Sequence, residues 1–123
     1  VLEDAIREIV EITFTAFAFS DTQLARKVEP LEQVIDRLSA EMRGNHIKRL
    51  QAGNCTIELG FILSDLINGF ERVSDHCSNI AVALIEVAEG SFDTHKYLSE
   101  IKSGKDEQFK ADYESFASKY SLA

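Results

Sequence analysis

Apolar residues recur at every third or fourth position along most of the chain, which is the spacing of amphipathic α-helices rather than of β-strands. The pattern predicts three long helices, over residues 2–19, 21–51 and 55–89. The first two each bury one stripe, formed by Ile6, Val10, Phe14 and Phe17 in the first helix and by Leu24, Val28, Leu31, Ile35, Leu38, Met42, Ile47 and Leu50 in the second. The third is apolar around so much of its circumference that we place it at the centre of a bundle, with its inward side formed by Phe61, Phe70, Val73, Cys77 and Ile80.

Residues with special backbone or capping chemistry separate these segments. The Ser-Asp-Thr run at residues 20–22 can cap the second helix. Pro30 removes one backbone hydrogen bond from that helix and is expected to kink it. Gly53 fits a left-handed position at its end, and Asn54 can cap the third helix. Turns this short favour antiparallel neighbours.

Residues 93–123 predict a helical appendage. A short helix begins at Asp93 or Thr94, and a last helix carries an aromatic stripe that docks on the bundle, formed by Phe109, Tyr113, Phe116 and Tyr120. The predicted fold is therefore all-α, an antiparallel three-helix bundle over residues 1–92 followed by this appendage.

Composition narrows the possible partners. The chain has 21 acidic and 13 basic residues and a net charge of −8, which argues against nucleic acid as a partner. No apolar run approaches the roughly 20 residues that a membrane helix needs. Cys55 and Cys77 would lie too far apart on one helix to form a disulfide, and two free thiols favour the cytoplasm. The chain begins with Val1 rather than methionine, which suggests a fragment of a longer protein.

Two pairs of carboxylates share one spacing: Glu32 with Asp36, and Glu71 with Asp75. Side chains four residues apart lie on the same helix face, about 6 Å from each other. Acidic pairs of this spacing are about as frequent in the chain as chance predicts, so the spacing alone means little. The positions of the two pairs favour a shared site. Glu32 and Asp75 are equally distant from the turn at residues 53–54, and so are Asp36 and Glu71. An antiparallel hairpin would bring all four together.

Four carboxylates on one seam repel each other, by about 1 kcal/mol for each close pair in water and by several times more when they are partly buried. Hard cations such as Mg²⁺, Mn²⁺ or iron would offset this repulsion, whereas zinc is less suited to a set without Cys and His ligands. Arginines would offset it too, since Arg37 follows Asp36 and Arg72 follows Glu71. From the spacing alone, a metal site and a salt-bridged surface both stay open.

The segment FERVSDHCSNIA, residues 70–81, resembles the signature of the PhoU family of phosphate-uptake regulators, from which it departs at Val73, Ser74 and Cys77. The segment EQVIDRL, residues 32–38, resembles the weaker upstream acidic motif of that family, and the neighbouring Pro30 departs from its usual pattern. The resemblance covers residues 4–89, one three-helix repeat.

This resemblance implies a bundle whose acidic motifs can hold a metal cluster, which is iron in some members. The ligands carried over from it would be Glu32, Asp36, Glu71 and Asp75. Around them we expect supporting contacts from Arg37, Arg72 and Asn79.

The resemblance also implies a regulatory or accessory role in phosphate transport rather than catalysis. A single repeat with a helical tail resembles the cytoplasmic C-terminal domain of bacterial Na⁺/phosphate cotransporter-related proteins. The expected partners are then the membrane-transporter region of the same polypeptide and a second copy in a homodimer, on the cytoplasmic side of the membrane. Two alternatives stay open: a carboxylate-bridged di-metal enzyme, whose usual Glu-x-x-His motif is missing before His46 and His76, and a structural dimerising bundle without metal.

Overall fold

The computed structural model describes residues 1–88 and 107–122, and these contain α-helices joined by turns, with no β-strand. The helices are α1 (Leu2–Phe19), α2 (Thr22–Ala25), α3 (Val28–Gln51), α4 (Ile57–Ala88) and α5 (Glu107–Lys119). The prediction of an all-α fold is confirmed. The short helix predicted to begin at Asp93 or Thr94 lies outside the described residues. None of the described helices is long and apolar enough to cross a bilayer.

The turn between α3 and α4 follows the predicted chemistry at its start. Gly53 has a φ of 76°, the left-handed conformation that glycine adopts without steric cost. The Asn54 N–H donates to the carbonyl of Arg49 at 2.9 Å, and the Gly53 N–H donates to that of Leu50 at 3.1 Å. These two bonds form a Schellman motif, which satisfies carbonyls that the end of a helix would otherwise leave unpaired.

Thr56, rather than Asn54, caps α4. The Leu59 N–H donates to Thr56 Oγ1 at 3.2 Å, so α4 begins two residues later than the pattern predicts. At the start of α2, Asp21 Oδ1 accepts from the Leu24 N–H at 3.1 Å, which confirms the predicted cap there.

The helix is interrupted near Pro30 as predicted, but as a break one turn earlier rather than as a kink, because proline cannot donate to the carbonyl four residues before it. The single helix predicted over residues 21–51 is divided into α2 and α3, and the break falls at residues 26–27. Pro30 therefore lies in the first turn of α3, where backbone N–H groups have no partner inside the helix and proline costs nothing. Gly44 lies within α3 and does not interrupt it.

The helices α1, α3 and α4 contact one another and enclose one hydrophobic core, while α5 packs against α3. The core residues are Leu2, Ala5, Ile6, Ile9, Ala16, Ala25, Val28, Leu31, Val34, Ile35, Leu38, Ile67, Cys77, Ala81, Val82, Ile85, Phe116 and Tyr120. Phe109 and Tyr113 are partly buried against it, so the predicted docking stripe of the last helix is confirmed. Lys119 Nζ also contacts Glu8 Oε1 at 2.7 Å and joins α5 to α1.

Several predicted core residues lie on the surface instead. Phe14 and Phe17 of α1 are 67% and 65% exposed, and Phe61 of α4 is 69% exposed. The buried side of α1 is formed instead by Leu2, Ala5, Ile6, Ile9, Thr13 and Ala16. On α4, Cys77 is buried and Phe70 partly so, but two further predicted core residues, Val73 and Ile80, are exposed.

Candidate metal centre

The seam between α3 and α4 has the register expected of an antiparallel hairpin. Ser78 Oγ of α4 donates a hydrogen bond to Glu29 Oε2 of α3. Glu32 lies about one helical turn beyond Glu29, and Asp75 lies about one turn before Ser78. The two helices therefore bring their carboxylates to the same level.

Three of the four predicted ligands lie together. One carboxylate oxygen each from Glu32, Asp36 and Asp75 falls within 4.8 Å of the others. Glu32 is buried, with 8% of its surface exposed, whereas Asp36 and Asp75 are exposed. The cluster therefore has an inner end in the seam and an outer end open to solvent.

Burial and like charges both act on this cluster. Burial raises the pKa of Glu32 to about 9, helped by the hydrogen bond with Asp36 and by the charges of Glu29, Asp36 and Asp75. Burial and the charges of Asp75 and Glu71 also raise the pKa of Asp36, although its hydrogen bond with Glu32 opposes the shift. At neutral pH and without a cation, Glu32 thus holds a proton that Asp36 shares through a hydrogen bond.

Glu71, the fourth predicted ligand, is engaged elsewhere. Its Oε1 accepts from Arg43 Nη1 at 2.7 Å, and Arg43 Nη2 donates to Asn68 Oδ1 at 2.7 Å. Arg43 lies two turns beyond Asp36 on α3, so it reaches Glu71 along the seam. Its guanidinium neutralises one carboxylate and leaves three in the cluster.

The remaining three carboxylates fit a divalent cation. Oxygen ligands bind Mg²⁺ at about 2.0–2.1 Å and Ca²⁺ at about 2.3–2.6 Å, so two ligands of one ion cannot be more than roughly 4–5 Å apart. The 4.8 Å limit within the cluster lies in this range. An all-oxygen set matches hard cations rather than zinc. A cation would also stabilise the ionised form of Glu32, which burial otherwise disfavours.

The predicted supporting residues are placed differently from the expectation. Arg37 Nε lies 3.6 Å from Glu41 Oε1, and its guanidinium lies 6.0 Å from the ring centre of Tyr113 on α5. Arg37 thus takes part in the docking of α5. Arg72 and Asn79 are exposed on α4.

Three residues of this seam are not predicted from the sequence: Glu29, Ser78 and Arg43. Glu29 and Ser78 are equally distant from the turn, like the two members of each predicted pair, so the same register argument could have found their hydrogen bond. No comparable sequence pattern pointed to Arg43. It contacts Glu71 because a long arginine side chain reaches along the seam past its own level.

The fold and the cluster together define an α-helical bundle domain with a carboxylate site between two antiparallel helices. The model of the PhoU domain matches residues 2–84, which include α1 to α3 and most of α4, and the chain belongs to the PhoU family. It is also 27% identical over 99 residues to the phosphate-specific transport system accessory protein PhoU homolog 1 of Thermotoga maritima. That match covers 80% of this chain and 42% of the relative, so the chain spans less than half of the relative's length. No solved structure matches the chain significantly.

Proposed function

We propose that this chain is a regulatory or accessory domain of phosphate transport that acts through contacts with other proteins. The observation that carries the proposal is the PhoU domain match over residues 2–84. The name of the Thermotoga relative, an accessory protein of a phosphate-specific transport system, supports the same role. The domain would work on the cytoplasmic side of the membrane, joined to the transporter region of a Na⁺/phosphate cotransporter-related polypeptide.

The proposed regulatory element is a cation held by Glu32, Asp36 and Asp75. Their oxygens are close enough to share one ion, and without one burial and the neighbouring charges keep Glu32 protonated. When bound, iron, Mn²⁺ or Mg²⁺ would supply positive charge at the seam between α3 and α4. The three carboxylates would then be ionised together, and the two helices would be tied across the outer end of the cluster.

The residues around the cluster favour this role over catalysis. The grouped ligands are carboxylates, and neither described imidazole joins them. His46 Nδ1 lies 3.4 Å from Cys55 Sγ near the hairpin turn, and His76 is exposed. A di-metal bundle enzyme would instead place histidine beside each bridging carboxylate.

Metal binding tests the cluster directly. We expect the purified chain to bind Mn²⁺ in a titration followed by electron paramagnetic resonance, and to carry metal in elemental analysis after metal-replete expression. The double variant Asp36→Asn/Asp75→Asn should lose at least about tenfold in affinity, because two of the three charges are removed. Asp65→Asn changes an exposed acid on α4 outside the cluster and serves as the matched control. Equal binding by both variants would contradict the assignment.

Phosphate uptake tests the role. In the source organism, deletion of the domain should change the rate of labelled phosphate uptake or its repression by high phosphate. The Asp36→Asn/Asp75→Asn variant should reproduce that change only if the cation carries the signal. A deletion that changes uptake while the double variant does not would keep the accessory role and remove the metal from it. A deletion without effect on phosphate uptake would contradict the proposed function.

A further inference from the structure

An apolar stripe, broken by the single polar residue His76, runs along the exposed side of α4. Its positions alternate spacings of three and four residues from Leu59 to Val87, which is the heptad pattern of helices that pair side by side. Six large side chains on it are between 38% and 60% exposed: Leu59, Ile62, Leu66, Val73, Ile80 and Val87. The intervening positions include Gly69 and Ala83, which are small enough to receive a side chain from a facing helix.

The first helix widens this stripe into a face. Phe17 of α1 lies beside the end of α4, where it lines a groove of about 320 Å³ together with Ile80, Ala83, Leu84 and Val87. Phe14 lies one turn before Phe17 and is 67% exposed. The six stripe residues with Phe14 and Phe17 form what we call the apolar face.

The apolar face is large for a monomer. The stripe from Leu59 to Val87 is about 42 Å long at 1.5 Å per residue. At roughly 200 Å² for a large side chain, the exposed fractions of the eight residues correspond to on the order of 900 Å². Monomeric proteins rarely expose contiguous apolar patches above roughly 300–600 Å², and a standard protein interface buries about 800 Å² on each partner. The area therefore suits one interface with a folded partner.

The pattern of the face points to a second copy of the same chain. A heptad stripe is complementary to another heptad stripe, and two copies related by a twofold axis would each contribute the same set of side chains. His76 is the one polar residue in the series, and a single polar residue at such a position sets register and partner number. A lipid surface suits the face poorly, because the chain has a net charge of −8 and the acids Glu58 and Asp65 flank the stripe.

We propose that two copies of this chain associate through the apolar face, with α4 of one copy packed against α4 of the other. The assignment rests on the proposed function, a domain that acts through contacts with other proteins, and it names the surface and the partner of one such contact. The carboxylate cluster lies on the other side of the buried face of α4, so dimer formation and metal binding use separate residues and can fail separately.

Sedimentation equilibrium of the 123-residue chain tests the proposal, in reductant so that Cys55 cannot cross-link two copies. We expect a dimer at micromolar concentration. The double variant Leu66→Glu/Ile80→Glu should raise the dissociation constant at least 100-fold, because it introduces four charges into the interface. Both positions are more than a third exposed, so circular dichroism and the melting temperature of the monomer should change little.

Phe61→Glu is the matched control, since Phe61 is a large exposed residue of α4 that lies off the stripe. It should leave the dimer intact. A monomeric wild-type chain at 100 µM would overturn the proposal, as would a dimer that survives Leu66→Glu/Ile80→Glu or one that Phe61→Glu dissociates equally. A monomer that floats with phosphatidylcholine vesicles would overturn it in favour of a lipid surface. Metal binding that is retained by the monomeric variant would show that the two sites are independent.

Discussion

The two sides of α4 that flank its buried face differ sharply in chemistry. One side, toward α3, gathers Asp75 with Glu32 and Asp36 within 4.8 Å. The other carries the apolar face, with Leu66 54% exposed and Ile80 40% exposed. Folding leaves a repulsion on the first side and an uncovered apolar surface on the second. We propose a different partner for each side: a cation for the first, and another protein surface for the second.

This contrast shows why a helix can be apolar around most of its circumference without being the centre of a core. The core needs one side of α4, and residues such as Ile67, Ala81 and Ile85 supply it. The remaining apolar residues of α4 contribute to a second, exposed surface, the apolar face. We propose that this surface serves an interaction with another protein, since contiguous apolar patches of this size are rare on monomers.

A large expected effect of a single substitution separates the core of α4 from its apolar face. Ile85 is fully buried and Ile80 is 40% exposed, although both are isoleucines of the same helix. Ile85→Ala should lower the free energy of unfolding by about 3 kcal/mol, because it leaves a cavity. Ile80→Ala should cost under about 1 kcal/mol in the monomer, because its side chain is only partly removed from water. Urea unfolding at submicromolar concentration measures both.

Protein concentration sharpens this comparison. If Ile80 lies in the dimer interface, the cost of Ile80→Ala should grow as the concentration rises, whereas that of Ile85→Ala should not. Equal costs for the two variants at every concentration would place Ile80 in the core of the monomer and contradict its observed exposure.

The apolar pattern predicted the helices but not their orientation. Heptad and core spacings are both about 3.5 residues, so a helix with two apolar sides does not reveal which one the core takes. On α1, the large Phe14 and Phe17 were expected inside, but the neighbouring Thr13 and Ala16 are buried there instead. The largest apolar residues of this helix are therefore exposed, and only the tertiary packing determines which side of the helix is buried.

The acidic side should respond to pH. In the metal-free protein the pKa of Glu32 is about 9, against 4.5 for an ordinary glutamate, so the folded state holds a proton that the unfolded state loses. Stability from this group is complete below pH 4.5 and is lost as the pH rises toward 9. The loss should be on the order of 1 kcal/mol per pH unit in that window. Chemical denaturation at pH 5 to 9 in chelator measures it.

Glu32→Gln should remove this pH dependence and stabilise the metal-free protein at pH 8, because the amide has no proton to lose. It should also weaken cation binding, so the same change acts in opposite directions on stability and on affinity. Asp65→Asn, on the exposed surface of α4, should leave the slope unchanged. A wild-type stability that rises between pH 5 and 9 relative to Glu32→Gln would show that Glu32 is ionised in the seam.

The acidic side was more predictable than the apolar side, because register is a property of the turn. Once Gly53 fixes the end of α3, residues equally far from the turn face each other, as the bond between Glu29 and Ser78 shows. Register does not say which side chains make contact. Glu71 lies opposite Asp36 in the predicted register, but its carboxylate forms an ion pair with Arg43 instead. Backbone spacing could not predict this pair, because it depends on the length of the arginine side chain.

The smallest expected effect concerns this ion pair, which decides whether the acidic side offers three carboxylates or four. Arg43 and Glu71 are 38% and 28% exposed, and pairs of such exposure contribute about 0–1 kcal/mol. Releasing Glu71 by Arg43→Ala should therefore strengthen Mn²⁺ binding by no more than about fivefold, measured by calorimetry at pH 7. Arg72→Ala removes one positive charge from the exposed surface of α4 and should change Mn²⁺ affinity less. In a Glu71→Gln background the gain from Arg43→Ala should vanish. A gain that persists there would mean that Arg43 acts on the cluster through its charge alone, and that Glu71 does not bind the cation.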